Sequence, residues 1–354
     1  MCASSYYFDS DCEVLMTEDS SFPERIHGGP DQQGIPLHDF STNSNACGPC
    51  PDALAAVRCA DATQYPDASY TALRQQLATF HGVAVQRIVL AASASEFIFR
   101  ITVWVARQGG KTVNVPPHSY GDYAQAASAH RLTLTNRPER AALRWACDPS
   151  SPLGSAHEGL QALTDSPAAI TVLDRAYEPL RLSGALALDT AQLQTVWQLY
   201  TPNKALGLTG VRAAYAIAPM GSELHVAALE QLCASWPVGA HGVAMLHAWT
   251  RPGVQAWLAG SLATLRDWKA LQIALCESLG WDCLPSNANF FCARPVLPYG
   301  MTLPQALTRL RAQGIKLRDT ASFGLPGHVR ISVQPPAARH ALHLAWPQPI
   351  KVGQ

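Results

Sequence analysis

The chain is predicted to be an α/β protein: a large unit with a mainly parallel sheet flanked by helices, followed by a smaller α+β unit. Three observations predict it. Between about residues 87 and 174, short apolar runs alternate with helical stretches, the pattern of parallel strands joined by crossover helices. Beyond about residue 222 that alternation gives way to a long helical region, then to isolated strands and one more helix. The 354 residues, 48% of them hydrophobic, are enough to build a large core in two units. The expected division is an arm or lid over 1–45, the large unit over 46–222 and the small unit over 223–354.

Residues 1 to about 30 are polar and show no period, which marks the arm. Residues 52–60 and 68–81 read as helices, the second with Tyr70, Leu73, Leu77 and Phe80 at helical spacing. Arg87–Ala92 is expected as a strand, Ser95–Arg107 as a helix, Thr112–Val115 as a strand and Tyr123–Ala129 as a helix. Leu143–Ala146 is a strand that ends at a Pro- and Ser-rich loop, and Ala169–Asp174 is a strand that ends in a carboxylate. The later helical region runs to about Leu279. Asn289–Ala293, a helix over Leu303–Gln313 and a strand over Val329–Val333 follow it. There is no internal repeat and no low-complexity tract.

Lysine plus arginine balances aspartate plus glutamate at 26 each, so net charge makes no case for nucleic acid or an anionic membrane. No apolar run approaches the roughly 20 residues that span a bilayer. The N-terminus carries Asp9, Asp11, Glu13, Glu18 and Asp19 in place of a basic region followed by an apolar one. A cleaved signal peptide is therefore not expected, and a cytoplasmic location is. The ten cysteines are expected to be reduced there. Cys47-Gly48-Pro49-Cys50 has the spacing of a redox pair or half a zinc site. However, the residues before it read as a loop, and no second C-x-x-C or H-x-x-x-H completes a metal site. A Gly-Pro turn leading into a helix over Asp52–Arg58 is the favoured reading, and no metal is expected.

The chemistry centres on Tyr200-Thr-Pro-Asn-Lys-Ala-Leu-Gly-Leu-Thr-Gly-Val-Arg212. A lysine that forms a Schiff base must reach a carbonyl. If that carbonyl belongs to pyridoxal 5′-phosphate (PLP), a fixed cation is also needed for the phosphate. Lys204 and Arg212 offer both, with glycines at 207 and 210 between them; a surface lysine and arginine near a Gly-rich turn is the bland alternative. Asp174 falls at a strand end, where parallel α/β sheets bind ligands. Its carboxylate would match a protonated pyridine nitrogen, or it would simply cap a helix. Tyr177 is placed to donate to the ring O3′. The turn Ala92-Ser93-Ala94-Ser95-Glu96 joins a strand to a helix and would offer N–H groups to a phosphate, helped by Ser95, Thr201 and Arg212. Tyr120 would stack on the ring or fill the core. Arg330, inside an apolar strand, needs an anion, and a substrate carboxylate supplies one with Asn289 in support. For Arg318 a structural salt bridge is favoured.

In order, Tyr65-Pro66-Asp67, the Ser95 turn, Tyr120, Ser151-Pro152-Leu153-Gly154, Asp174 with Tyr177, Lys204, Arg212 and Arg330 resemble the landmarks of one family. They are those of fold-type I PLP enzymes of the histidinol-phosphate aminotransferase and threonine-phosphate decarboxylase group, within the class I/II aminotransferases. The resemblance runs from Arg25 to the C-terminal region. It implies the aminotransferase fold type I, PLP bound by Ala94, Ser95, Glu96, Tyr120, Ser151, Asp174, Tyr177, Thr201, Lys204 and Arg212, and a homodimer in which Tyr65 reaches the neighbouring site. Three short segments resemble the decarboxylase branch: His27-Gly28-Gly29, which makes His27 a substrate-binding candidate, Asp39-Phe40-Ser41-Thr42-Asn43, and Trp236-Pro237-Val238. Four departures stand out. Ser151 replaces the usual Asn, Asn203 the usual Ser before the lysine, Ala92-Ser93-Ala94 the usual Gly-Asn-Gly, and Arg175 the usual Glu.

The resemblance therefore implies first a decarboxylase of L-threonine O-3-phosphate serving cobamide synthesis. The alternative is an aminotransferase of the histidinol-phosphate type or another divergent PLP enzyme, and a PLP-fold protein that binds without turnover is the third. Dependence on a keto-acid acceptor separates the first two.

Overall fold

The computed structural model describes residues 27–164 and 169–347. Residues 1–26 of the arm expected over 1–45 lie outside the described residues. Residues 29–41 pack on the C-terminal part of the chain, whereas Asn43 and Asn45 reach Tyr177 and the Lys204 loop. On the C-terminal part β1 (His38–Asp39) pairs in parallel with Ile315–Lys316, and Phe40 is fully buried.

The large sheet has seven strands: β2 (Ile88–Ala91), β3 (Thr112–Asn114), β4 (Thr133–Thr135), β5 (Leu143–Cys147), β6 (Ile170–Asp174), β7 (Trp197–Tyr200) and β8 (Ala214–Ile217). Their order across the sheet is β2-β8-β7-β6-β5-β3-β4. Neighbours from β7 through β4 run parallel, and β8 runs antiparallel to both β2 and β7. Strands buried on both faces read as continuous apolar runs, which is why β2, β5 and β6 are legible in sequence. Three strands are not. β4 is a largely exposed Thr-Leu-Thr edge, whereas β7 and β8 are four residues each with no crossover helix between them. That missing helix is the reason β8 returns antiparallel, and the loop it leaves carries Lys204.

One face of the sheet is covered by the helices Ala94–Arg107 and Gly121–Ala129 through Phe97, Ile101, Trp104 and Tyr123. Ser93 caps the first of these by accepting from the Glu96 N–H at 3.0 Å. The other face packs on Pro51–Arg58, Thr71–His81, Ala240–Trp249 and the first half of Pro252–Ser278, through Leu73, Leu77, Met245, Leu246 and Leu258. The long helical region expected from 222 to 279 is three helices, interrupted at Pro237 and at Arg251-Pro252, where proline cannot continue a helix. Helix Ala240–Trp249 contributes to the core under the large sheet.

The C-terminal part holds β9 (Asp282–Cys283), β10 (Phe290–Arg294), β11 (Ile315–Lys316), β12 (Arg318–Asp319) and β13 (Val329–Ser332). An antiparallel sheet in the order β12-β13-β10-β9 packs on Leu303–Ala312 and Pro336–Ala345 around Trp281, Phe291, Leu310, Ile331 and Trp346. Thr302 and Gln305 form a reciprocal capping box at the start of Leu303–Ala312. No helix among the described residues is long and apolar enough to cross a membrane.

Candidate active site

The carboxyl ends of β2, β3, β5, β6 and β7 open into one cavity of about 560 Å³. The topology brings residues from distant parts of the chain to its wall: Ala94 and Ser95 after β2, Tyr120 after β3, Ser151 after β5, Asp174 and Tyr177 at the end of β6, and Thr201, Lys204 and Arg212 after β7. His27 from the N-terminal segment and Arg330 from β13 complete it. Among the described residues, four cationic side chains (Lys204, Arg212, Arg318, Arg330) line it together with two carboxylates (Asp122, Asp174). The cavity thus carries an excess of positive charge and suits a polyanionic occupant.

Asp174 is 4% exposed and is held from two sides. The Tyr123 hydroxyl donates to its Oδ2 at 2.7 Å and the Ala176 N–H to its Oδ1 at 2.9 Å. Burial pushes its carboxyl above the usual range, against the opposing pull of those two donors and of Lys204. No lysine or arginine nitrogen lies within 4 Å of it among the described residues. Lys204 Nζ sits 5.4 Å from the centre of the Tyr177 ring. The Tyr177 hydroxyl accepts from Asn43 Nδ2 at 3.3 Å, which leaves its own proton to donate elsewhere. Asn43 Oδ1 is buried without a hydrogen-bond partner among the described residues.

The Lys204 loop is held through its backbone. The Lys204 carbonyl accepts from Asn45 N at 2.9 Å and from Gly207 N at 3.2 Å, and Cys50 N donates to the Leu206 carbonyl at 2.9 Å. Asn203, the departure beside the lysine, braces the same loop. Its Oδ1 accepts from Thr201 Oγ1 at 2.8 Å, and its Nδ2 donates to the carbonyls of Thr209 and Val211 at 3.3 and 3.4 Å. The Cys47–Cys50 turn packs on this loop and leads into the helix Pro51–Arg58. Gly207 has φ +69°, and a Cβ there would lie 2.7 Å from the Gly48 carbonyl oxygen and 2.9 Å from Pro49 Cα. Gly207→Ala is therefore expected to cost about 2 kcal/mol or more in stability, readable as a lowered melting temperature.

Arg330 is 7% exposed. Its Nη2 donates to the Ser41 carbonyl at 3.0 Å and its Nη1 to Ser151 Oγ at 3.4 Å, and its guanidinium lies over the rings of Phe290 and Phe323. No carboxylate lies within 4 Å of it among the described residues.

Two expectations change, those for Glu96 and Asn289. Arg318 lines the cavity beside Arg330. It donates to Ser322 Oγ at 2.7 Å, and burial together with the neighbouring Arg330 lowers its pKa to about 10. Glu96 turns away from the cavity and pairs with Arg100 at 3.0 Å, because its N–H is taken by the Ser93 cap and its carboxylate by the helix's own next turn. Asn289 is fully buried behind the wall and donates to the Ser44 carbonyl at 3.0 Å, which supports the segment that holds Lys204. Tyr65, expected at the neighbouring subunit's site, is 78% exposed and stacked on Trp236 with ring centres 4.5 Å apart, outside the cavity of its own chain. Sequence reading missed Tyr123, whose place on a helix gave no sign of a polar partner. It had Asn43 only as part of a resemblance.

The family model Aminotransferase class I and II matches residues 36–342. A histidinol-phosphate aminotransferase of Hyphomonas neptunium (strain ATCC 15444) is 28% identical over 327 residues, covering 83% of this chain and 85% of that one. The crystal structure of histidinol-phosphate aminotransferase from Sinorhizobium meliloti in complex with pyridoxal-5′-phosphate aligns with TM-score 0.71 at 22% identity, over 86% of this chain and 88% of that one. The L-threonine-O-3-phosphate decarboxylase from Porphyromonas gingivalis aligns with TM-score 0.68 at 21% identity, over 83% and 92%. At these identities the two solved structures speak for the fold.

Proposed function

The chain belongs to the class I and II aminotransferases, PLP-dependent enzymes of fold type I, and from that premise we propose that it transfers an amino group from a phosphate-bearing amine of the histidinol-phosphate kind to 2-oxoglutarate. The single observation that carries the substrate side is Arg330, a buried guanidinium at the cavity wall with no carboxylate within 4 Å among the described residues. Burying an unpaired charge is costly. A phosphate or carboxylate engaged by its fork relieves that cost, and Arg318 beside it adds positive potential. In the two halves of an amino transfer the same guanidinium serves the phosphate of the donor and a carboxylate of the acceptor.

The residues present fit PLP. Asp174, buried and unmatched by a cation within 4 Å, suits a protonated ring nitrogen. Tyr177, with its oxygen already accepting from Asn43, suits the ring hydroxyl oxygen as a donor. Ser95, in the first turn of helix Ala94–Arg107, and Thr201 and Arg212 on the wall of the same cavity suit the phosphate. Tyr120, which lines the cavity, suits an aromatic cover for the ring. When bound, PLP supplies a carbonyl for the amine and a ring that draws electrons from the substrate Cα. Lys204 Nζ then takes the proton from the substrate Cα as general base. Asp174 would hold the ring nitrogen protonated, and Arg330 would anchor the substrate's anionic group in the cavity that Lys204 lines.

The decarboxylase reading rests on three short segments, whereas the sequence relatives carry the name histidinol-phosphate aminotransferase. The likeness to the decarboxylase is one of fold. Aminotransfer is therefore preferred. The test is a donor screen with 2-oxoglutarate. L-histidinol phosphate is expected to exceed L-histidinol by about 100-fold in kcat/KM, and Arg330→Ala to erase that preference. Equal use of the two donors, or an unaltered preference in Arg330→Ala, would refute the reading.

In a homodimer, Tyr65 would serve the neighbouring subunit's cofactor phosphate. Tyr65→Phe is expected to weaken PLP retention. Mixing inactive Tyr65→Ala and Lys204→Ala proteins is then expected to restore part of the activity, because hybrid dimers carry one site intact in both residues. No restoration in proven hybrids would place Tyr65 outside the site.

A further inference from the structure

We infer that Tyr123 is a positioning residue, whose hydroxyl fixes the Asp174 carboxylate in the ionised state and orientation that the ring nitrogen of PLP requires. This rests on the reading of the cavity as a PLP site. Tyr123 stands 51 residues from Asp174 in sequence, on the helix Gly121–Ala129, and its hydroxyl donates to Asp174 Oδ2 at 2.7 Å. The ring has little freedom. It stacks on Trp145 with centres 4.4 Å apart and planes 9° apart, and it meets Tyr120 edge-on at 5.9 Å. It is fully buried. Burial, reinforced by the nearby Asp174 charge, pushes the phenol far above its ordinary range, so it stays a donor at every working pH.

The consequence is a matter of which protonation state the hydrogen bond favours. A bond to an ionised carboxylate is roughly twice as strong as one to a neutral group. The Tyr123 hydroxyl therefore favours the charged Asp174, which is the form that pairs with a protonated ring nitrogen. With the Ala176 N–H on Oδ1, each carboxylate oxygen already has one donor from the protein, and the plane of the group is set before any ligand enters. Without the phenol, Oδ2 would lose its donor in a buried place, and Asp174 would sit more often as the neutral acid.

The test is a double-mutant cycle on PLP binding to the full-length apoprotein, followed by absorbance titration. It needs no turnover. Tyr123→Phe removes one oxygen and keeps the ring that stacks on Trp145. In the wild-type background it is expected to raise the PLP dissociation constant about tenfold. In the Asp174→Asn background, where no carboxylate remains to be held ionised, the same change is expected to alter it by less than about threefold. A purely structural role predicts equal losses in both backgrounds, and equal losses would overturn the inference, as would no loss in either. Wild-type protein that binds no PLP would overturn both this inference and the proposed function; additive losses in a protein that binds PLP overturn this inference alone. Thermal melting of the four apoproteins guards against a folding defect. If Tyr123→Phe fails to fold, Tyr123→His, which keeps a ring and a donor, is expected to retain part of the coupling, and its full loss would count against the assignment.

Discussion

Lys204→Ala is expected to lose about three orders of magnitude or more in turnover while folding normally. The loop that carries the lysine is held by backbone groups and by neighbours of the lysine. Asn45 N and Gly207 N donate to the Lys204 carbonyl, Cys50 N donates to the Leu206 carbonyl, and Asn203 braces Thr201, Thr209 and Val211. Lys204 Nζ takes no part in that frame. On the proposed mechanism, removing it takes away the amine for the cofactor carbonyl and the base for the substrate Cα proton, and leaves the scaffold intact. The checks are turnover at saturating donor and acceptor, the cofactor's visible absorbance band after PLP loading, and the melting temperature. Undiminished turnover in the variant would remove Lys204 from the mechanism.

Asp174→Asn is expected to lower turnover by about 100- to 1,000-fold and, in the cofactor-free protein, to raise stability at neutral pH. The two effects have one cause. Burial holds the Asp174 carboxyl above its ordinary value of 3.8. A carboxyl raised in the folded state contributes stability that is fully present below the unfolded value and is lost as pH rises through the folded one. The ionised carboxylate of the apoprotein has two hydrogen-bond donors but no cation within 4 Å among the described residues, and a protonated ring nitrogen would supply one. Asparagine has nearly the same shape and no charge. Apo Asp174→Asn should melt above wild type at pH 7, and the gap should narrow as pH falls through the raised folded-state value of the wild-type carboxyl. PLP should stabilise wild type by more than it stabilises the variant. A variant apoprotein that melts below wild type at pH 7 would mean that Asp174 is already compensated within the chain.

Much of this was legible in the sequence, and the limits have physical causes. β6 could be read because Ile170–Leu173 is an apolar run that stops at a charge, and the helix over Ala94–Arg107 because its apolar residues recur at helical spacing. The antiparallel return of β8 could not, since strand direction depends on whether a crossover helix intervenes, and the 13 residues between Tyr200 and Ala214 look like any Gly-rich loop. Asp174 announces itself as a charge at a strand end, Arg330 as a charge inside an apolar run and Lys204 by its spacing to Arg212 across two glycines, and with Tyr177 all line the cavity. Tyr123 does not, because a tyrosine on the buried face of a helix looks like core until its partner 51 residues away is seen. Glu96 misled for the opposite reason. It follows a phosphate-like turn, but four residues on lies Arg100, and an i,i+4 ion pair claims its carboxylate.

The most direct test of the central claim is a single-turnover experiment on the PLP-loaded protein. L-histidinol phosphate would be added without any keto acid, and products followed by mass spectrometry. An aminotransferase is expected to form one equivalent of ketone per active site, stop, and resume turnover when 2-oxoglutarate is added. No conversion of L-histidinol phosphate, together with acceptor-independent loss of CO₂ from L-threonine O-3-phosphate, would contradict the account and return the protein to the decarboxylases.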